Sequence, residues 1–183
     1  MTNHQSPKQD QIGQTKARLR ANAEQLGVQI ALVEPEIPPN TGNIARLCAA
    51  TGAALHLIHP LGFSVSEKAV RRAGLDYWPL VNLTEHENFE AFMGDSGLKG
   101  RKYFFSGKAR RSYLDVSYCP GDILVFGRES RGLDPSILER YEDQLVAIPT
   151  IGEVRSLNLS NAAAIATFEA LRQIKYLDST EFK

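Results

Sequence analysis

Arg155, Ser156, Asn158, Ser160 and Asn161 crowd a short stretch between an apolar run, Leu145 to Ile148, and a helix-forming run that starts at Ala162. One Ser or Asn is enough to cap the free N–H groups of a helix start. Two hydroxyls, two amides and a guanidinium at one junction can do more: orient a hydroxyl, grip a phosphate or edge a nucleoside. Polar excess just past a strand end is where open α/β sheets bind ligands.

Two other stretches carry the same character. Ile123 to Phe126 is an apolar run that ends at Gly127, followed by Arg128, Glu129, Ser130, Arg131, Gly132 and Leu133. Gly127 permits a sharp turn and close approach of backbone to a ligand. Asp134 with Pro135 then reads as the cap and first position of a helix. The two glycines have phosphate-loop spacing, but Leu133-Asp134 stands where that loop needs Lys and Ser/Thr. No Gly-x-Gly-x-x-Gly is present, so a nucleoside triphosphate is not expected. The third stretch, Glu34 to Gly52, follows the apolar run Val28 to Val33 and contains Asn40-Thr41-Gly42-Asn43. Ile44, Leu47, Cys48 and Thr51 share a helical face and should be core. Arg46 points away from that face, beside Gly42, Asn43, Ala49 and Ala50.

The elements that must position these residues alternate. Strands are expected at 28–33, 54–58, 78–83, 102–106, 122–126 and 145–148, and helices at 42–51, 66–73, 85–93, 135–141 and 159–176. Such alternation predicts a parallel sheet covered by helices, an α/β fold. Residues 1–27 are a polar extension, flexible or helical over 11–26, where Ile12, Leu19 and Leu26 make too thin a stripe to fold alone. One domain at 28–178 and a short tail at 179–183 complete the chain.

Composition is that of a soluble globule, 43% hydrophobic and 23% charged, with zero net charge. A general nucleic-acid binder would be strongly basic. Local charge is more informative: Lys99, Arg101, Lys102, Lys108, Arg110 and Arg111 carry six positive charges with no acidic residue between them. The strand at 102–106 divides them. In a parallel sheet Lys108, Arg110 and Arg111 lie at the ligand edge, and the first trio lies at the opposite one. Cys48 and Cys119 are too few for a disulfide framework, and Cys48 on the apolar face reads as a buried thiol. A reducing cytoplasm is expected. Met1 to Ser6 lack an apolar signal region, and no run reaches the ~20 apolar residues of a membrane span. His4, His56, His59 and His86 lack metal-ligand spacing; no metal is expected, and His56 and His59 read as structural.

Taken together, the chain resembles the SPOUT methyltransferases from about Val28 to Tyr176. Glu34 to Ile44 is similar to their motif 1. Phe126-Gly127-x-Glu129-x-Arg131-Gly132-Leu133 is similar to motif 2, and Ile148-Pro149 with Arg155 to Ala162 is similar to motif 3. Arg72 to Tyr77 is a further signature. Within the superfamily the set resembles the TrmL (YibK-like) tRNA ribose methyltransferases, which modify the wobble nucleotide, position 34, of the anticodon. The resemblance implies a SPOUT α/β-knot fold with a C-terminal trefoil knot. It also implies S-adenosyl-L-methionine as cofactor, S-adenosyl-L-homocysteine as product, a tRNA anticodon stem-loop as partner, and a homodimer.

It implies residue roles as well. The cofactor's adenosine should rest on Phe105, Gly127, Gly132, Ile148 and Ser156, with Leu157 as an apolar wall. The motif 1 arginine, Arg46 here, has been given the role of base in related enzymes. A guanidinium with a pKa above ~12 is a poor proton acceptor. Arg46 is expected instead to fix a phosphate beside the target ribose and to stabilise charge developing on the 2′-oxygen. Asn40 and Ser156 are the candidate hydroxyl orienters. Arg46, Lys108, Arg110, Arg111 and Arg155 are the expected RNA contacts. Glu129 either caps a helix or meets the substrate. Arg128 stands where relatives often have proline, and Phe168 where they often have tyrosine. Two other functions fit the same motifs: methylation of another tRNA or rRNA ribose, and a non-catalytic RNA-binding module.

Overall fold

The computed structural model describes residues 19–21, 27–63, 78–154, 156–178 and 180–182. Its centre is a six-stranded sheet of β2 (Gln29–Val33), β3 (Ala54–Ile58), β4 (Leu83–His86), β5 (Lys102–Phe105), β6 (Ile123–Phe126) and β7 (Leu145–Val146). The order is β4-β3-β2-β6-β5-β7, and every neighbouring pair is parallel. The predicted parallel α/β sheet is therefore present. Because all six strands run the same way, every carboxyl end lies on one edge. That edge gathers the segments after Val33, Phe105, Phe126 and Val146.

The inner strands are buried on both faces, which explains why they read as unbroken apolar runs. On one face Ile30, Leu32, Leu55, Leu57, Leu124 and Phe126 pack against α1 (Pro38–Thr51) and α4 (Leu159–Gln173). On the other, Ala31, Val33, Ile58, Phe104, Ile123 and Val125 pack against α2 (Phe89–Gly94) and α3 (Pro135–Arg140). Each fully buried Leu or Ile contributes roughly 1.5–3 kcal/mol of transfer free energy. Cys48 is buried in the first cluster, and burial pushes its thiol pKa up to about 12. Ile44 and Thr51 are buried beside it and Leu47 is half-buried, as the helical stripe predicts.

Several boundaries differ from the expected ones. Helix α1 begins at Pro38, four residues before the predicted start, because proline is tolerated in a first helical turn, where its missing N–H has no partner to lose. Residues 78–82 are not a strand. Trp78–Leu80 forms a 3-10 turn around Pro79, and β4 starts only at Leu83. Helix α2 starts at Phe89 rather than 85, where Asn88 accepts the Ala91 amide at 2.8 Å. Helix α4 stops at Gln173, three residues early, and β7 ends at Val146. Leu19–Ala21 is a strand, β1, within the stretch read as flexible or helical, and pairs antiparallel with β8 (Thr180–Phe182) in a separate two-stranded ladder. The extension and the tail thus supply each other's hydrogen bonds. The expected helix at 66–73, the signature Arg72 to Tyr77, and Arg155 lie outside the described residues.

The amino edge of the sheet is tightly closed. Asp122, 2% exposed, accepts from the Arg101 amide at 3.3 Å, from its Nε at 3.1 Å and its Nη2 at 2.7 Å, and from the Cys119 amide at 2.8 Å. Gly121 donates to the Gly27 carbonyl at 2.7 Å and accepts from Gln29 Nε2 at 3.0 Å. A Cβ on Gly100 would lie 1.8 Å from the Gly121 oxygen.

Candidate active site

Motif 2 leaves β6 at Gly127 and folds back on itself. Arg128 and Gly132 exchange backbone hydrogen bonds of 3.1 and 2.8 Å, and Gly132 has φ 74°. A Cβ on Gly127 would stand 2.3 Å from both the Gly132 carbonyl carbon and the Leu133 nitrogen. Gly127 is required by this close approach of backbone to backbone, not by its own φ. Leu133 is buried, and Asp134 caps α3 by accepting the Ser136 amide at 3.0 Å.

Glu129 is the centre of a hydrogen-bonded web at the carboxyl edge. Its Oε2 accepts the Glu36 amide at 2.8 Å; its Oε1 accepts the Ile37 amide at 3.2 Å and Asn40 Nδ2 at 3.0 Å. These amides open α1, where the helix dipole favours an anion. Asn40, 6% exposed, uses its other amide atom as well: Oδ1 accepts Asn158 Nδ2 at 2.9 Å. Asn158 caps α4, its Oδ1 accepting the Ser160 amide at 2.9 Å, the Ser160 hydroxyl at 2.7 Å and the Asn161 amide at 3.4 Å. One hydrogen-bonded chain therefore joins motifs 1, 2 and 3 and two helix N-termini. Ser130 adds a second tie, donating from its amide and its hydroxyl to Glu36, both at 3.0 Å. That donation holds the Glu36 carboxyl below the usual carboxylate range.

The expected site residues distribute as follows. Asn40 is buried in the web with both amide ends engaged. Arg46 is exposed on α1, with Asn43 and Ala50 exposed and Ala49 half-buried; Gly42, placed on that same face from sequence, is instead buried. Ser156 is exposed at the approach to α4 and Leu157 is half-buried. Phe105, Gly127 and Ile148 follow or end β5, β6 and β7, which are neighbours in the sheet. Phe105 stacks on Phe126 with ring centroids 4.6 Å apart. This set offers backbone N–H and C=O groups with apolar and aromatic walls, which suits an uncharged purine nucleoside.

The two basic trios separate as the parallel sheet requires. Lys108, Arg110 and Arg111 are exposed after β5, and Arg111 Nη2 donates to the Asp115 carbonyl at 2.8 Å. The Arg111 carbonyl accepts the Ala147 amide at 2.9 Å, which brings this loop beside Ile148. Across the sheet, Arg101 is consumed by Asp122, and Lys102 donates to the Leu98 carbonyl at 3.4 Å. An open hollow of about 560 Å³ lies at the ends of β3 and β4, lined by His59, Pro60, Glu85, His86 and Glu87. It is at the other end of the strand order from β5 and β7.

The sequence named neither the Glu129–Asn40–Asn158 chain nor two further links: Glu36 to Ser130, and Arg128 to Glu34, an ion pair of largely buried side chains. Charged residues facing each other across the ends of two adjacent apolar runs were the available signal. Their partnership spans more than ninety residues and needs the strand order to be seen.

Known proteins resemble this chain over most of its length. The model of the SpoU rRNA Methylase family matches residues 27–168. A tRNA (cytidine(34)-2'-O)-methyltransferase of Photorhabdus asymbiotica is 46% identical over 81% of this chain and 95% of its own length. That of Escherichia coli K12 is 46% identical over the same shares. A structure solved for the 2-OH methylation of C/U34 on tRNA superposes with a TM-score of 0.75 at 45% identity, over 81% of this chain and 96% of that one. A β2 start at Gln29, an α4 cap at Asn158 and the web between them all fall inside the matched span: the chain belongs to the SpoU rRNA methylase family.

Proposed function

We propose that this protein transfers a methyl group from S-adenosyl-L-methionine to the ribose 2′-hydroxyl of nucleotide 34 of tRNA. The observation that carries the reading is the Glu129–Asn40–Asn158 chain, which holds all three motifs of the family in one rigid constellation. The relatives named for this activity are matched over nearly their whole length.

The cofactor supplies a methyl already activated by a sulfonium. Its methyl would pass to the 2′-oxygen, leaving S-adenosyl-L-homocysteine, with the hydroxyl proton going to solvent water. The protein's part is alignment and charge. Phe105, Gly127, Gly132, Ile148, Ser156 and Leu157 hold the nucleoside at the carboxyl edge. Arg46, exposed on α1, grips a phosphate and stabilises charge gathering on the 2′-oxygen. Ser156 is the exposed hydroxyl orienter. Asn40 serves from within the web, because both ends of its amide are already engaged. Lys108, Arg110, Arg111 and Arg155 neutralise anticodon-stem phosphates. Ile165 and Phe168, 39% and 50% exposed on α4, give a second copy of the chain an apolar face, and the active unit is a homodimer. The C-terminal trefoil knot and a cytoplasmic location belong to the same reading.

Incubating the protein with labelled cofactor and total RNA, then mapping the label, tests the function. A 2′-O-methyl group at nucleotide 34 of tRNA is expected. Label at another tRNA or rRNA ribose would replace the substrate. RNA binding with no transfer would leave a binding module.

A further inference from the structure

The geometry points to Arg128 as a positioning residue for the cofactor loop, acting through Glu34. This rests on the reading of residues 127–133 as part of the cofactor site.

The last register pair of β2 and β6 is Leu32 with Phe126. Two residues on, Glu34 and Arg128 stand side by side where the two strands give way to loops, and they form an ion pair. Glu34 is still fixed to the sheet by its backbone, since its amide donates to the Ile58 carbonyl at 2.9 Å. Its φ is 52°, a left-handed conformation uncommon for a residue other than glycine. Such a conformation persists only where its surroundings over-determine it, and it concentrates at ligand clamps. Arg128 is equally constrained, because its amide and carbonyl close the turn against Gly132. The pair therefore joins a fixed strand end to the first residue of a closed turn, and it sets the direction in which that turn leaves β6.

The placement argues for position rather than stability. The two side chains are 18% and 23% exposed. A pair this far from water loses much of its Coulomb gain to desolvation. The turn is already tied at its far side by Glu129 and Ser130 to α1 and Glu36. One more tie adds little to the fold, yet it is the only one among the described residues that links the Gly127 side of the turn to β2. Gly127 has no room to adjust, with Gly132 and Leu133 backbone against it. A tilt of the turn would displace the backbone groups offered to the nucleoside as one body.

Titration of S-adenosylhomocysteine into the full chain and its variants by calorimetry tests this, with thermal unfolding of the ligand-free proteins beside it. Glu34→Gln and Arg128→Gln should each weaken affinity about tenfold. The double variant should be no weaker than either single one, because both remove the same link. Arg128→Lys should recover part of the loss. In methyl transfer, KM for the cofactor should rise while kcat at saturating cofactor stays within about twofold. Unfolding temperatures should change little. Full affinity in both single variants would overturn the inference while leaving the function intact. So would a fall in unfolding temperature with affinity unchanged, since that is a structural role alone. Failure of the unmodified protein to bind S-adenosylhomocysteine would instead overturn the function, and this inference with it.

Discussion

The amino and carboxyl edges of the sheet use one device for opposite ends. At the amino edge Asp122 collects four donors from Arg101 and Cys119, and two glycines let Gly100 press on Gly121. At the carboxyl edge Glu129 collects three donors from Glu36, Ile37 and Asn40, and two glycines let Gly127 press on Gly132. The difference lies in who the partners are. Asp122 binds residues within about twenty positions of itself and uses up the nearby arginine. Glu129 binds residues about ninety positions away and spends no cation. A carboxylate that closes on local donors locks one corner of a fold; one that closes on a distant helix start ties separate segments of the chain together.

The largest effects should come from the crowded glycines, and they should fall on different properties. Gly100→Ala should lower the unfolding temperature severely, because the new carbon meets a backbone oxygen that cannot move alone. Gly127→Ala should abolish S-adenosylhomocysteine binding by calorimetry while far-UV circular dichroism stays native. If both variants simply unfold, the two edges are not functionally distinct.

Arg46→Lys comes next. A charge without the planar fork should lose most methyl transfer, on the order of 2–4 kcal/mol of transition-state stabilisation. Cofactor affinity should survive, since Arg46 lies on α1 and not on the 127–133 turn. Near-normal turnover in Arg46→Ala would make it an ordinary surface residue and remove the chemistry from this edge.

A relay runs between the edges. Gln29, which donates to Gly121, also meets His56 Nε2 at 2.9 Å, and His56 Nδ1 meets His86 Nε2 at 3.1 Å. Burial, then the neighbouring His86, press the His56 pKa down to about 4. The folded state therefore favours the neutral ring, while the unfolded chain takes up its proton near pH 6.5. Stability is full above that pH and is lost as pH falls toward about 4. Denaturant unfolding at about pH 7.5 and about pH 5 should differ by on the order of 2 kcal/mol from this ring. His56→Gln should flatten most of that difference, and an unchanged slope would detach the relay from folding.

The smallest effect is on RNA affinity. Replacing Lys108, Arg110 and Arg111 with Ala should reduce the slope of log affinity against log salt by roughly 0.7 to 0.9 for each phosphate no longer neutralised. The natural control from sequence was the other trio, but Arg101 and Lys102 hold the fold together. Lys99→Ala is the clean control, and it should leave the slope unchanged. An equal flattening in both would put RNA on the wrong edge.

What the sequence disclosed follows from what each signal is made of. β2, β3, β5 and β6 were legible to within a residue because strands buried on both faces leave continuous apolar runs. β4 was misplaced because it is an edge strand with Thr84 and Glu85 exposed, so its apolar signal is thin, and Trp78 lent a false one. The start of α1 was missed because Pro38 and Pro39 look like a loop from outside a helix and like a first turn from within. The site's residues could be named one by one from motifs. Their partnership could not, because Glu129, Asn40 and Asn158 meet only once the strand order is fixed. The same ignorance made Lys99, Arg101 and Lys102 look equivalent, although two of them are tied into the fold.

The crowding of Gly127 against Gly132 bears on how this surface can change over generations. A turn held by backbone against backbone, with Arg128, Glu129 and Ser130 tied to the segment after β2, asks little of its remaining exposed side chain. The exposed position Arg131 is therefore open to drift, while Gly127 beneath it has no room for a side chain. Under the proposed function, selection could retouch what the turn displays without altering the shape offered to the cofactor. Specificity and chemistry can then evolve at different speeds on the same seven residues, 127 to 133.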